Sequence, residues 1–137
     1  MVTKTKIIFG NQHPTQSVTL HYTYSLAQEA IEFYQKSGRD CYPWQVSLLE
    51  AIMAINDDGL WVHQKFGYAI PRRNGKTEDV YIVELWGLHK GLRILHTAHR
   101  ISTSHSSFEE LKKYLEDMGY VDGEDFVSNK AKGQERI

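Results

Sequence analysis

Phe66-Gly-Tyr-Ala-Ile-Pro-Arg-Arg-Asn-Gly-Lys-Thr77 is the stretch on which the reading of this chain turns. An apolar run breaks at Pro71 into a basic loop, and Gly75-Lys76-Thr77 opens a periodic apolar pattern. That order predicts a buried strand handing the backbone to a helix N-terminus. Such a junction attracts anions, because consecutive amides in a tight turn converge and the helix dipole adds partial positive charge. A side chain at Gly75 would block the β-phosphate of a bound triphosphate. Lys76 can reach the β- and γ-phosphates, and the Thr77 hydroxyl suits a magnesium ion. Arg72, Arg73 and Asn74 fill the loop. Either arginine can stabilise charge on a transferring phosphoryl group, with Arg72 the favoured one, and either can instead pair with Glu78 or Asp79 on the surface. One position departs from the common phosphate-loop pattern: Ile70 stands where the first glycine usually lies.

Upstream of this stretch, Lys6-Ile-Ile-Phe9 reads as a short strand, and Val18, Leu20, Tyr22 and Tyr24 alternate like a half-buried one. Ser25-Leu-Ala-Gln28 has capping-box spacing. It opens a helix with Ala27, Ala30, Ile31 and Tyr34 on its apolar face and Ser37-Gly38 at its end. A second helix is expected from Pro43, with Leu48, Ala51, Ile52 and Ile55 as its stripe and Asn56 to Gly59 as its stop. Downstream, a helix from about Lys76 to Lys90 places Val80, Val83, Trp86 (or Leu85) and Leu88 inward. Leu92-Arg-Ile-Leu-His-Thr-Ala98 reads as a buried strand. Thr103 or a neighbouring serine caps a last helix with Phe108, Leu111, Leu115 and Met118 on one face and Gly119 at its end. A short strand is possible near Phe126-Val127. Strand, helix, strand, helix after residue 60 implies a βαβ crossover and a partly parallel sheet with flanking helices.

Composition bounds the rest. With 137 residues, 41% hydrophobic and 24% charged, the chain suits one globular domain, organised as N-terminal strands over 1–24 and an α/β unit over 25–137. A net charge of −1 gives no global attraction to nucleic acid, so any such contact is local. The lone Cys41 excludes an internal disulfide and a cysteine-based zinc site and fits a reducing compartment. No run approaches the roughly 20 apolar residues that cross a bilayer, and the first residues are too short a run for a signal peptide, so a soluble, intracellular protein is expected.

The loop Pro71-Arg72-Arg73-Asn74-Gly75-Lys76-Thr77 resembles the deviant Walker A motif of tailed-phage terminase large subunits, ATPases that package DNA into capsids. Other segments match in order. Tyr42-Pro-Trp-Gln45 resembles the family's adenine-binding motif, in which Gln45 would read the purine edge and Tyr42 and Trp44 would pack the ring. Leu95-His-Thr-Ala-His99 resembles the motif at the second core strand, and Lys132-Gly-Gln-Glu-Arg-Ile137 the lead-in to the next strand. The resemblance spans about residues 25–137. It implies a P-loop NTPase-like fold that binds ATP and Mg2+ and acts on duplex DNA in the cytoplasm of a bacterial host. A terminase small subunit and a capsid portal would be its partners.

The family's apolar strand ending in Asp-Glu (Walker B) does not occur, nor does its acidic nuclease domain; Val121-Asp-Gly-Glu-Asp125 lacks the apolar lead. The resemblance is therefore to an incomplete ASCE core, the N-terminal part of a terminase, with weak or no hydrolysis by this chain alone. A sheet lacking that strand would have open edges, which predicts instability, self-association or an altered arrangement. The alternatives are a remnant that folds or associates without catalysis, and part of another P-loop nucleic-acid translocase. Seven histidines invite a metal reading, but His96 and His99 lack the spacing of a zinc pair, so a packing role for His96 and a loop role for His99 are expected. Ser102 to Ser107 have no nucleophile elbow and are expected to cap a helix. Lys112, Lys113, Lys130 and Lys132 are expected to be solvated.

Overall fold

The computed structural model describes residues 10–131 and 135–137. Its elements run β1 (Tyr24–Ser25), α1 (Ala27–Gln35), α2 (Pro43–Ile52), β2 (Ala54–Ile55), α3 (Lys76–His89) and α4 (Ile101–Asp117). Local chemistry explains most of the helix boundaries. The Ala27 N–H donates to Ser25 Oγ at 3.2 Å, so serine satisfies an orphan donor of the first turn of α1. Pro43 occupies the first position of α2, and the Tyr42 N–H donates to Gln45 Oε1 at 2.9 Å. After α4, Gly119 takes φ 91° and the Tyr120 N–H returns to the Leu115 carbonyl, the left-handed close predicted there.

α3 is the centre of the molecule, packed against α1, α2 and α4. Leu49, Met53, Ile82 and Leu85 are fully buried, and Ala30, Ile31, Phe33, Tyr34, Tyr81, Trp86, Leu111, Tyr114 and Leu115 surround them. Each fully buried aliphatic side chain contributes about 1.5–3 kcal/mol. The predicted face of α1 is the buried one, with Phe33 added; on α4 Phe108, Leu111 and Leu115 are buried as expected, Ser107 and Tyr114 join them, and Met118 is half-buried at the C-cap. For α2 and α3 the register differs from the expected stripe. Gln45, Leu49 and Ala51 are buried on α2, while Leu48 is only half-buried. On α3, Asp79, Tyr81, Ile82, Glu84, Leu85, Trp86 and Gly87 are buried, whereas Val80, Val83 and Leu88 are half-buried. A helix enclosed on several sides has no single polar face, so periodicity alone cannot give its rotation.

The strands depart most from expectation. Among the described residues the only sheet is β1 against β2, antiparallel, with Tyr24 opposite Ile55 and Ser25 opposite Ala54. The Val62 N–H extends it by donating to the Ala54 carbonyl. Of the alternating segment 18–24 only Tyr24 is strand, and Val18 and Leu20 are exposed. The segments 66–70 and 92–98, expected as neighbours in a parallel sheet, carry no ladder. Their sole backbone–backbone bond among the described residues runs from the Leu92 N–H to the Gly87 carbonyl, 2.8 Å. The second segment is not buried: Leu95 is 88% exposed and Ile94 40%. The physical reason is that a parallel strand cannot pair within its own segment, and among the described residues no strand lies beside either segment to accept its hydrogen bonds. Near Phe126 there is one bridge, to Asp122, and no strand. The expected strand at 6–9, and Lys132 with the start of the lead-in motif, lie outside the described residues. No helix among the described residues is long and apolar enough to cross a membrane.

Candidate functional site

The loop from Pro71 to Gly75 turns directly into α3. Gly75 has φ 78° and ψ 18°, and Arg73 has φ 65°. Glycine accepts that conformation freely. At Arg73 a non-glycine residue in the left-handed region is uncommon and holds the loop in a tight bend. Asn74 braces the bend from within, its Nδ2 donating to the carbonyls of Pro71 (3.1 Å) and Arg72 (3.2 Å). Apart from the turn closed between Pro71 and Asn74, no backbone N–H from Arg72 through Thr77 donates to an acceptor among the described residues. These are the orphan donors of a helix N-terminus together with those of the turn leading into it.

Arg72, Arg73, Lys76 and Thr77 are all exposed. None of the three cations forms an ion pair among the described residues, and neither arginine pairs with Glu78 or Asp79. The Thr77 hydroxyl is likewise without a protein partner there. The donor set fits a magnesium-bound polyphosphate: amides and three cations for the anion, and one hydroxyl for the metal. Thr77 and phosphate oxygens would hold the ion, since no cluster of three or more His, Cys, Asp or Glu side chains able to bind a metal occurs among the described residues. Magnesium commonly relies on few protein ligands when phosphates supply the rest.

Gln45 is brought to this loop from 30 residues away. Its Nε2 donates to the Gly75 carbonyl at 3.3 Å while its Oε1 accepts from the Tyr42 N–H. The side chain is 3% exposed, so its amide braces the loop instead of standing open to a ligand. Tyr42 is exposed and Trp44 half-buried; the Trp44 N–H donates to Gln12 Oε1 at 3.4 Å. Two tethers fix the approach to the helix. The Tyr68 hydroxyl donates to the Lys76 carbonyl at 2.9 Å, and Gln45 holds Gly75 from the α2 side.

Two acids on the first turns of α3 are kept from the cations by contacts that no local pattern signals. Glu78 Oε2 accepts from the hydroxyls of Tyr34 (2.8 Å) and Tyr114 (2.5 Å). Asp79 is fully buried, and neither of its oxygens has a hydrogen-bond partner. Burial lifts its carboxyl to about 7; the nearby Gln45 amide pulls the other way and the Glu78 charge adds to the rise.

Elsewhere, His96, expected as a packed core residue, is half-buried outside the core cluster, with Nδ1 2.7 Å from Glu84 Oε1. Burial raises the Glu84 carboxyl, and His96 opposes the rise. His99 is an exposed loop residue. The serines do not cap α4, whose N-cap is Arg100 without a side-chain bond. Ser106 Oγ donates back to the Ser102 carbonyl, and the buried Ser107 Oγ accepts from the Tyr81 hydroxyl at 3.3 Å. Lys112 is not simply solvated: it pairs with Asp122 at 2.7 Å, which holds that carboxyl well below the usual range. No protein-family model, no curated protein and no solved structure matches this chain.

Proposed function

We propose that this chain binds ATP with magnesium through the loop from Arg72 to Thr77, in a P-loop NTPase-like arrangement, as the ATP-binding part of a phage DNA-packaging motor of the terminase type. The observation that carries the nucleotide reading is the left-handed turn at the start of α3, with unpaired amides and three unpaired cations around it. The Gln45–Gly75 hydrogen bond supports it further, because it joins the two segments whose spacing resembles the family's adenine and phosphate motifs. In this reading Lys76 and Arg72 neutralise the phosphates, Arg73, Asn74 and Gly75 shape the cradle, and Thr77 orients magnesium. Tyr42 and Trp44 lie on the base side, with Gln45 as the link between base and phosphates. Duplex DNA, a small terminase subunit and a capsid portal would be engaged in the complete motor, in the cytoplasm of a bacterial host. Hydrolysis by this chain alone is weak or absent, since the sequence has no apolar strand ending in Asp-Glu to polarise water.

Isothermal titration of the folded protein with ATP and magnesium tests the reading. Measurable binding that falls at least about tenfold in Lys76→Ala is expected, because one charge-assisted phosphate contact is lost. No binding by demonstrably folded protein would reject it. Brisk hydrolysis abolished by Lys76→Ala would reject the weak-turnover part alone.

A second reading is a non-catalytic chain that works by association, favoured by the exposure of Leu92, Ile94, Leu95 and Ile101 along one stretch. Concentration-dependent self-association in sedimentation, with no ATP binding, is its expected signature.

A further inference from the structure

Glu78 follows Thr77 directly and is the acid nearest in sequence to the loop cations. A carboxylate in the first turn of a helix favours the helix, yet it also competes with any bound anion for the same positive end. Its stem lies beside the loop, since a Cβ built on Gly75 would stand 4.0 Å from Glu78 Cγ. Left free, its carboxylate would add an uncompensated negative charge beside the loop that carries Arg72, Arg73 and Lys76.

It is not left free. Tyr34 reaches Glu78 Oε2 from α1 and Tyr114 reaches the same oxygen from α4. Both rings are buried, 3% and 2% exposed, with centroids 5.7 Å apart. The Arg39 guanidinium lies 4.1 Å from the centre of the Tyr114 ring and pairs with Asp117 at 3.0 Å, so that ring is fixed from outside as well. Burial, reinforced by Glu78, pushes both phenols well above their ordinary range, so each remains a donor. Two hydroxyls on one carboxylate oxygen make a strong, charge-assisted clamp.

We propose that Tyr34 and Tyr114 are positioning residues for the phosphate loop: by clamping Glu78 Oε2 they keep its carboxylate off Arg72, Arg73 and Lys76 and leave those cations to a polyphosphate. The inference rests on the nucleotide reading above. It adds that the affinity of the site is set in part by two buried tyrosines on helices that do not belong to the loop.

The test is titration with ATP and magnesium, and with inorganic tripolyphosphate and magnesium, across Tyr34→Phe, Tyr114→Phe, the double variant, Glu78→Gln and the triple variant. Phenylalanine keeps the ring in the core, and thermal melts report folding. The double variant is expected to bind both ligands about two- to fivefold more weakly, the range of one new exposed ion pair, and the deficit should shrink at high salt. Adding Glu78→Gln is expected to restore wild-type affinity, which a merely structural role would not do. If the double variant does not fold, Glu78→Gln and each single variant carry the test: Glu78→Gln must bind at least as tightly as wild type. Unchanged binding in the tyrosine variants, or failure of Glu78→Gln to restore it, would overturn the clamp while leaving the nucleotide reading intact. Failure of wild type to bind either ligand would overturn both.

Discussion

The helices behind α3 and the two irregular segments 66–70 and 92–98 began with equally clear sequence patterns and ended very differently. On the helical side, α1 and α4 bury nearly every predicted apolar position, α2 forms with its rotation shifted, and the tyrosine hydroxyls there find partners. On the segment side, the backbone has one backbone–backbone bond among the described residues and Leu95 is mostly exposed. A helix satisfies its own backbone within the segment, so a short pattern suffices to fix it. A parallel strand depends on neighbours far away in sequence, and its pattern states only what it would do if they were present.

The largest effect that sharpens this contrast is expected in the core. Leu85→Ala, at a fully buried site, should cost about 2–5 kcal/mol in urea denaturation. Leu95→Ala should change stability by no more than about 0.5 kcal/mol. Similar costs for the two would mean that the segment 92–98 is covered in solution, and the contrast would fail.

Next comes Asp79. Its folded carboxyl is lifted from the ordinary value to about 7, so the folded state holds a proton that the unfolded chain has already lost. Stability is therefore fully present below the unfolded value, near pH 4, falls as pH rises toward about 7, and levels off above it. Asp79→Asn should flatten that slope and raise stability at pH 8 by on the order of 2 kcal/mol. A pH profile identical to wild type would show that the carboxylate has a partner in solution.

A smaller effect is expected at Gly87, where an added Cβ would lie 2.8 Å from Ile94 Cδ1, the far end of a flexible side chain. Gly87→Ala should be close to neutral, the helix-propensity gain of about 1 kcal/mol offsetting the displaced contact. Its signature is faster hydrogen exchange at the Leu92 amide, which donates to the Gly87 carbonyl. Unchanged exchange there would show that the segment does not depend on this close approach.

The helix starts around the candidate site were legible: Gly75 immediately precedes α3 and Pro43 opens α2, whereas Gln45, expected at a purine edge, is buried and bonded to the Gly75 carbonyl. What stayed hidden depends on tertiary contact. Tyr34 was placed on the α1 face by spacing, and Tyr114 lies between Leu111 and Leu115 on α4, yet nothing local says that both hydroxyls converge on Glu78. The inward turn of Asp79 was equally unreadable, because α3 is enclosed and its rotation is set by three neighbours. Arg73 was read for its charge, whereas its left-handed backbone is set by the fold of the loop.

The most direct test of the loop's role is the amide spectrum of isotope-labelled protein titrated with ATP and magnesium. The account predicts that the amides of Arg73, Asn74, Gly75, Lys76 and Thr77 shift together and saturably, ahead of those in 92–98. Saturable shifts confined to other surfaces, or none at this turn, would contradict it.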